Sequence, residues 1–158
     1  MQDSFSKMAN LHIRRLTAED LNAVMEIEES TFSQYWSRGA YEHEFTENPI
    51  GHFYGLFVDD TLLAYGGYWQ IMDEGHIANI AVAEKYRRAG LGETLTRYLM
   101  TDCQSNGGKR MTLEVRRGNS GAIRLYEKLG FVGAGYRPGY YNDNREDALI
   151  MWVELAEK

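Results

Sequence analysis

Three stretches of this sequence carry residue types that can do chemistry. In "EKYRRAGLGETLTRYL" (84–99), two adjacent arginines and two glycines stand immediately before leucines at helical spacing. Backbone entering a helix there presents N–H groups that have no intrahelical partner, and the positive end of the helix dipole adds to them. Gly90 and Gly92 let backbone come close, and Arg87 and Arg88 supply charge and forked donors, so the stretch reads as an anion site that suits a pyrophosphate. In "MTLEVR" (111–116), Glu114 points to the opposite side of its strand from Leu113 and Val115. In isolation that is a solvated side chain; in a central strand covered on both faces, an unpaired carboxylate is costly without a partner or a task. The task would be that of a base, which desolvation strengthens. In "NSGAIRLYEKLGF", Tyr126 shares a helical side with Ala122 and Leu129, a spacing that suits core packing, yet its hydroxyl can also donate a proton to a leaving group. A strand end, a short turn and about two helical turns separate Glu114 from Tyr126, so the helix can fold back and turn both towards one cleft.

The scaffold for these groups follows from periodicity. "LHIRRL" (11–16) alternates as a strand; "TAED" (17–20) has the capping-box pattern, and Leu21, Val24, Met25 and Phe32 continue as a helical stripe. A second helix starts at Ser37 and ends before Pro49, because the residue ahead of a proline avoids helical angles. "HFYGLFV", "DD" and "TLLAYGGYWQIM" predict strand, tight turn and strand, with "GHIANIAV" (75–82) as the next strand of an antiparallel meander. A helix from Gly90 carries Leu91, Leu95 and Leu99 on one side and stops at "SNGG" (105–108). "RMTLEVR" (110–116) predicts a strand, "NSGAIRLYEKLG" (119–130) a helix, and "FVGAGYR" and "DALIMWVEL" a closing pair of strands. The order β-α-α-β-β-β-α-β-α-β-β predicts an α/β (α+β) fold with a mixed sheet and helices on both faces: crossover helices require parallel pairing in the middle, and meanders supply antiparallel pairing at the sides. Without an internal repeat or linker, 158 residues predict a single domain over 1–158, with residues 1–9 as a flexible leader.

Composition excludes several classes. A net charge of −6 argues against a general nucleic-acid binder, which shows a basic face. No run approaches the ~18 apolar residues of a membrane span, and the opening "MQDSFSKMAN" has no apolar core of the secretory kind, so no membrane partner and a cytoplasmic location are expected. The single Cys103 cannot form an internal disulfide and continues the stripe of Leu95 and Leu99 as a core thiol. His12, His43, His52 and His76 show no metal spacing, and "HEFTE" lacks the second histidine of H-E-x-x-H, so no metal is expected. Gly108-Lys109 fails the Walker pattern, Gly133 and Gly135 lack the third glycine of a dinucleotide fingerprint, and there is no G-x-S-x-G of a hydrolase.

Arg87 to Gly92 has the form R-x-x-G-x-G. Set between a strand and a helix, it resembles the acetyl-coenzyme-A loop of the GCN5-related N-acetyltransferases (GNAT), and the resemblance extends over nearly the whole chain and its element order. It implies a GNAT-like, mainly antiparallel sheet and acetyl-coenzyme A as cosubstrate. The loop amides of Arg88, Ala89, Gly90, Leu91, Gly92 and Glu93, with Arg87, would hold the pyrophosphate, and edge groups of Ile80, Ala81 and Val82 the pantetheine arm. "TLEVR…N…A…LYEKLGF…YRPGYY…EDALIM" (112–151) is similar to the bacterial ribosomal-protein-alanine N-acetyltransferases. That similarity implies Glu114 as general base, directly or through water, Tyr126 as the acid and Asn119 as a coenzyme contact. "YWS" (35–37) is similar to that family's "PWS", with Tyr35 in place of proline, and Gly118 stands where serine usually precedes the asparagine. The implied partner is the N-terminus of a small-subunit ribosomal protein, bound by a monomer or weak dimer.

For the acceptor groove the candidates are Trp36, Tyr140 and Tyr141, with Glu146 and Asp147 available to a basic peptide; aromatic packing and a solvated acidic turn are the alternatives. Proton chemistry favours an α-amine. With a pKa of about 7.7–8.0 it is roughly a tenth to a sixth neutral at pH 7, against about one lysine in 2500, a gap on the order of 3.4 kcal/mol. Transfer to a lysine or a small-molecule amine stays open, because a dry pocket lowers an amine's pKa.

Overall fold

Alternation, capping and proline placement set the element boundaries. The computed structural model describes residues 10–155, and the expected leader over residues 1–9 lies outside the described residues. The chain runs β1 (Leu11–Arg15), α1 (Leu21–Thr31), α2 (Arg38–Thr46), β2 (Gly51–Val58), β3 (Thr61–Ile71), β4 (Glu74–Val82), α3 (Leu91–Ser105), β5 (Arg110–Arg116), α4 (Ser120–Lys128), β6 (Val132–Arg137) and β7 (Ala148–Glu154). This is the predicted order. Thr17 and Asp20 form the capping box, with the Thr17 N–H donating to Asp20 at 2.8 Å; the box closes a 3-10 turn, Ala18–Asp20, from which α1 continues. Ser37 accepts the Ala40 N–H at 3.0 Å and so opens α2.

The strands hydrogen-bond in the order β1-β2-β3-β4-β5-β7-β6. β1–β2, β2–β3, β5–β7 and β6–β7 are antiparallel, whereas β4 and β5, joined by the α3 crossover, are parallel. The sheet is therefore mixed and mainly antiparallel, as expected. The parallel ladder runs over three pairs, Glu74 with Arg110, Gly75 with Met111 and His76 with Thr112; Ile80, Ala81 and Val82 stand beyond it.

The chain packs as two units. The first comprises the chain up to Trp69 together with Ala78–Leu99. Successive strand residues face opposite ways, and here both faces are covered: Phe53 joins Leu21, Val24, Tyr41 and Tyr65 in the core under α1 and α2, while its neighbour Tyr54 meets Tyr98 of α3 at 5.0 Å. Leu91, Leu95 and Leu99 are all buried, which fixes the face that α3 presents.

The second unit comprises Gln70–Ile77 and the chain from Met100. β5 pairs along its whole length with β7, and β6 closes the other side of β7 with every residue exposed. Cys103 is buried beside Gly75 and Gly108, where an added Cβ would meet its Sγ at 2.6 and 2.3 Å. Burial pushes this thiol up to about 11, as befits a core residue. No described helix is long and apolar enough to cross a membrane.

Leu95 is fully buried, so Leu95→Ala should lower stability by about 2–5 kcal/mol. Urea unfolding followed by circular dichroism checks this, with an unchanged midpoint as the contrary result.

Candidate active site

In the first unit, β4 leads through a short 3-10 turn, Glu84–Tyr86, into the glycine loop. Arg88 and Gly90 both take left-handed backbone, with φ of 68° and 81°. For Arg88 that conformation costs on the order of 1–2 kcal/mol, a strain typical of loops shaped for a ligand. Gly90 O accepts the Thr94 N–H at 3.0 Å, so Gly90 caps α3. The amides of Leu91 and Gly92 fall in the first turn, which has no preceding helical turn to supply carbonyl acceptors. Ala89 and Leu91 are buried and pin the loop from below, while Arg88 is exposed. The Glu93 carboxylate pairs along the helix with Arg97 at 3.1 Å.

Arg87 does something the spacing did not indicate. Its Nε donates to Val82 O at 2.9 Å and its Nη2 to Thr31 Oγ1 at 3.1 Å, so it clips the loop shut and ties it to the end of α1. On the neighbouring strand, the Ile80 N–H donates to Asn79 Oδ1 at 3.1 Å, and Ala81 is in the core. Turned amides, a helix N-terminus and the exposed Arg88 make a donor set that fits a diphosphate.

Trp36 is also in this unit, between α1 and α2 and just ahead of Ser37, the N-cap of α2. Its ring stacks on Tyr41 at 4.9 Å and on Trp69 at 5.9 Å, and its N–H donates to Glu28 Oε2 at 3.0 Å. Tyr35, in the place where the similar family has proline, is exposed.

The second unit holds the other candidates. Glu114 lies opposite Ile150 on β7; its side chain is 28% exposed and its Oε2 is 3.6 Å from Arg137 Nε on β6. A carboxylate so placed keeps access to solvent while a cation orients it. Asn119 caps α4 by accepting the Ala122 N–H at 3.2 Å, which aims that helix and its Tyr126. The Tyr126 ring meets Phe131 edge-on at 5.7 Å, and burial together with nearby Tyr141 pushes its hydroxyl up to about 12. Burial likewise pushes Tyr141 up to about 12, opposed by Arg116, whose guanidinium lies 4.0 Å over the ring, and reinforced by Tyr140 and Glu114.

Glu146 and Asp147 are engaged within the chain. Glu146 accepts the Gly118 N–H at 2.7 Å and pairs with Arg116 at 3.3 Å; Asp147 accepts the Gly139 N–H at 3.0 Å and pairs with Arg117 at 3.1 Å. Those bonds hold both carboxyls below the usual carboxylate range. Tyr140, half exposed, lies edge-on to Tyr141 at 5.0 Å. Arg116, Arg117 and Arg137, which sequence inspection passed over, fix this neighbourhood. The usable signal was two arginines directly after "TLEV", because charge at a strand end demands nearby carboxylates.

Comparison with known proteins bears on the geometry as a whole. The profile of the acetyltransferase (GNAT) family matches residues 21–131. A protein of Bacillus subtilis (strain 168), described as a candidate [ribosomal protein bS18]-alanine N-acetyltransferase, is 43% identical over 145 residues, covering 92% of this chain and 96% of its own length. The [ribosomal protein bS18]-alanine N-acetyltransferase of Escherichia coli (strain K12) is 36% identical over 146 residues, covering 91% and 97%. The crystal structure of the ribosomal-protein-S18-alanine N-acetyltransferase from Escherichia coli superposes with a TM-score of 0.86 at 33% identity, covering 94% of this chain and 96% of that one. The chain therefore belongs to the GNAT family of acetyltransferases.

Proposed function

We infer that this chain transfers an acetyl group from acetyl-coenzyme A to the N-terminal α-amine of a protein, and that its acceptor is the alanine terminus of ribosomal protein bS18. The observations that support the chemistry are a carboxylate at Glu114, 28% exposed beside Arg137, and in the same unit a phenol at Tyr126 whose hydroxyl is raised to about 12. The acceptor follows from relatives similar over more than nine tenths of both chains.

Acetyl-coenzyme A, when bound, supplies the acetyl group and a thiolate leaving group. The amides of Leu91, Gly92 and Glu93, with the turned backbone at Arg88 to Gly90, bind the diphosphate, and Arg88 adds charge. Arg87 keeps that loop closed through Val82 and Thr31, and the β4 edge at Ile80–Val82 takes the pantetheine arm. Glu114, oriented by Arg137, removes a proton from the acceptor ammonium, directly or through one water. As the neutral amine attacks the thioester carbon and the C–S bond breaks, Tyr126 donates its proton to the leaving sulfur, and the second proton lost by the acceptor nitrogen as the amide forms restores the phenol. Asn119 aims α4 in the second unit, where Tyr140 and Tyr141 offer aromatic faces to an acceptor peptide; within the first unit Trp36 offers one.

Incubation with acetyl-coenzyme A and a short peptide bearing a free N-terminal alanine, followed by mass spectrometry, should show acetylation at the α-amine. A peptide with a blocked terminus and an internal lysine should stay unmodified; equal modification of that lysine would overturn the assignment. Glu114→Gln and Tyr126→Phe should each lower kcat by about 10²–10⁴-fold without loss of coenzyme affinity, as expected for general acid–base groups. Because Tyr126 is held protonated to about 12, the acid does not limit the rate at ordinary pH, and kcat should show no falling limb until pH approaches that value. A falling limb at pH 8–9 that disappears in Tyr126→Phe would contradict this.

A further inference from the structure

Glu28 takes no part in the chemistry assigned above, yet it is the most deeply buried carboxylate described, at 1% exposure on α1. Its two oxygens divide the work. Oε2 accepts the backbone N–H of Trp36 at 3.0 Å; Oε1 accepts the Tyr41 hydroxyl at 2.8 Å, the Tyr65 hydroxyl and the Asn79 amide at 3.2 Å. Asn79 also donates to the Tyr41 hydroxyl oxygen at 2.9 Å, and its own Oδ1 receives the Ile80 N–H. Burial, together with the neighbouring carboxylate, raises both phenols well above their usual range and keeps them donors.

A buried charge with this many donors is tolerated, but an apolar residue of similar volume would serve the core at least as well. What an apolar residue could not do is reach both Trp36 and Asn79. Trp36 sits between α1 and α2, where backbone has no ladder to place it; Asn79 is on β4, immediately before Ile80. We propose that Glu28 is a positioning residue for the acetyl acceptor: one carboxylate oxygen holds the Trp36 segment, the other holds Asn79 of the coenzyme-side strand, and the carboxylate sets the distance between them. The proposal rests on Trp36 walling the acceptor and Ile80–Val82 edging the coenzyme. Stacking on Trp69 and Tyr41 then orients the indole, while Glu28 sets where its backbone stands.

Glu28→Gln is the direct test. It places an NH₂ group where one oxygen stood, so either the Trp36 N–H or the Tyr41, Tyr65 and Asn79 group loses its acceptor. Tyr41→Phe is the second variant; it deletes one hydroxyl, keeps the ring packing, and decides the matter if Glu28→Gln does not fold. On the purified full chain, acceptor KM and kcat are measured with the alanine-terminated peptide, coenzyme affinity by calorimetry, and Trp36 exposure by acrylamide quenching, with Trp36→Phe giving the signal of Trp69 and Trp152 to subtract. Glu28→Gln should raise acceptor KM by about tenfold to a hundredfold, the loss of one hydrogen bond to a charged group, and Tyr41→Phe by a smaller factor in the same direction. Coenzyme affinity should stay within about twofold, and quenching should increase in Glu28→Gln. An unchanged acceptor KM in a folded variant, unchanged quenching, or a parallel loss of coenzyme affinity overturns the proposal. Wild-type turnover on the peptide reports the underlying reading separately, because quenching and coenzyme affinity are read without any acceptor.

Discussion

A helix cannot satisfy the N–H groups of its own first turn, and the coenzyme site proposed here depends on where the start of α3 places them. Several features aim them. Leu91, Leu95 and Leu99 bury one face of α3, Ala89 anchors the loop, and Arg87 spans from Val82 to Thr31. Left-handed backbone at Arg88 and Gly90 then bends the chain into the helix. Gly90 adopts that geometry freely, whereas Arg88 adopts it at a cost, offset by the packing on either side.

The second unit gives the proposed base and the proposed acid different surroundings. Glu114 is 28% exposed beside Arg137, whereas Tyr126, packed edge-on to Phe131, has its hydroxyl raised by desolvation and by nearby Tyr141. Around them, arginines at the end of β5 fasten the segment after β6 through Glu146, Asp143 and Asp147. Such ion pairs add little stability singly, and their value lies in holding Tyr141 under Arg116.

Most of this architecture was legible in the sequence because it rests on local rules. Pro49, the capping box at Thr17–Asp20, Ser37 and the glycines at 107 and 108 each mark a boundary the structure respects within a residue or two. What was not legible depends on which side chains meet across long separations. Glu28 reads as one more charge on an amphipathic helix, and only the fold brings Tyr65 and Asn79 to it. Arg87 looked like a phosphate ligand because spacing identifies a loop but not the direction of a long side chain. Glu146 and Asp147 looked available for the same reason: the arginines that engage them are about thirty residues away in sequence.

The most direct test of the central claim compares two ligands that differ in the group the α3 amides are said to hold. Coenzyme A carries the diphosphate and pantetheine does not. In calorimetric titrations of the full chain at matched concentrations, coenzyme A should bind saturably while pantetheine gives little heat. Equal affinity for both, or heat from neither, would contradict the account.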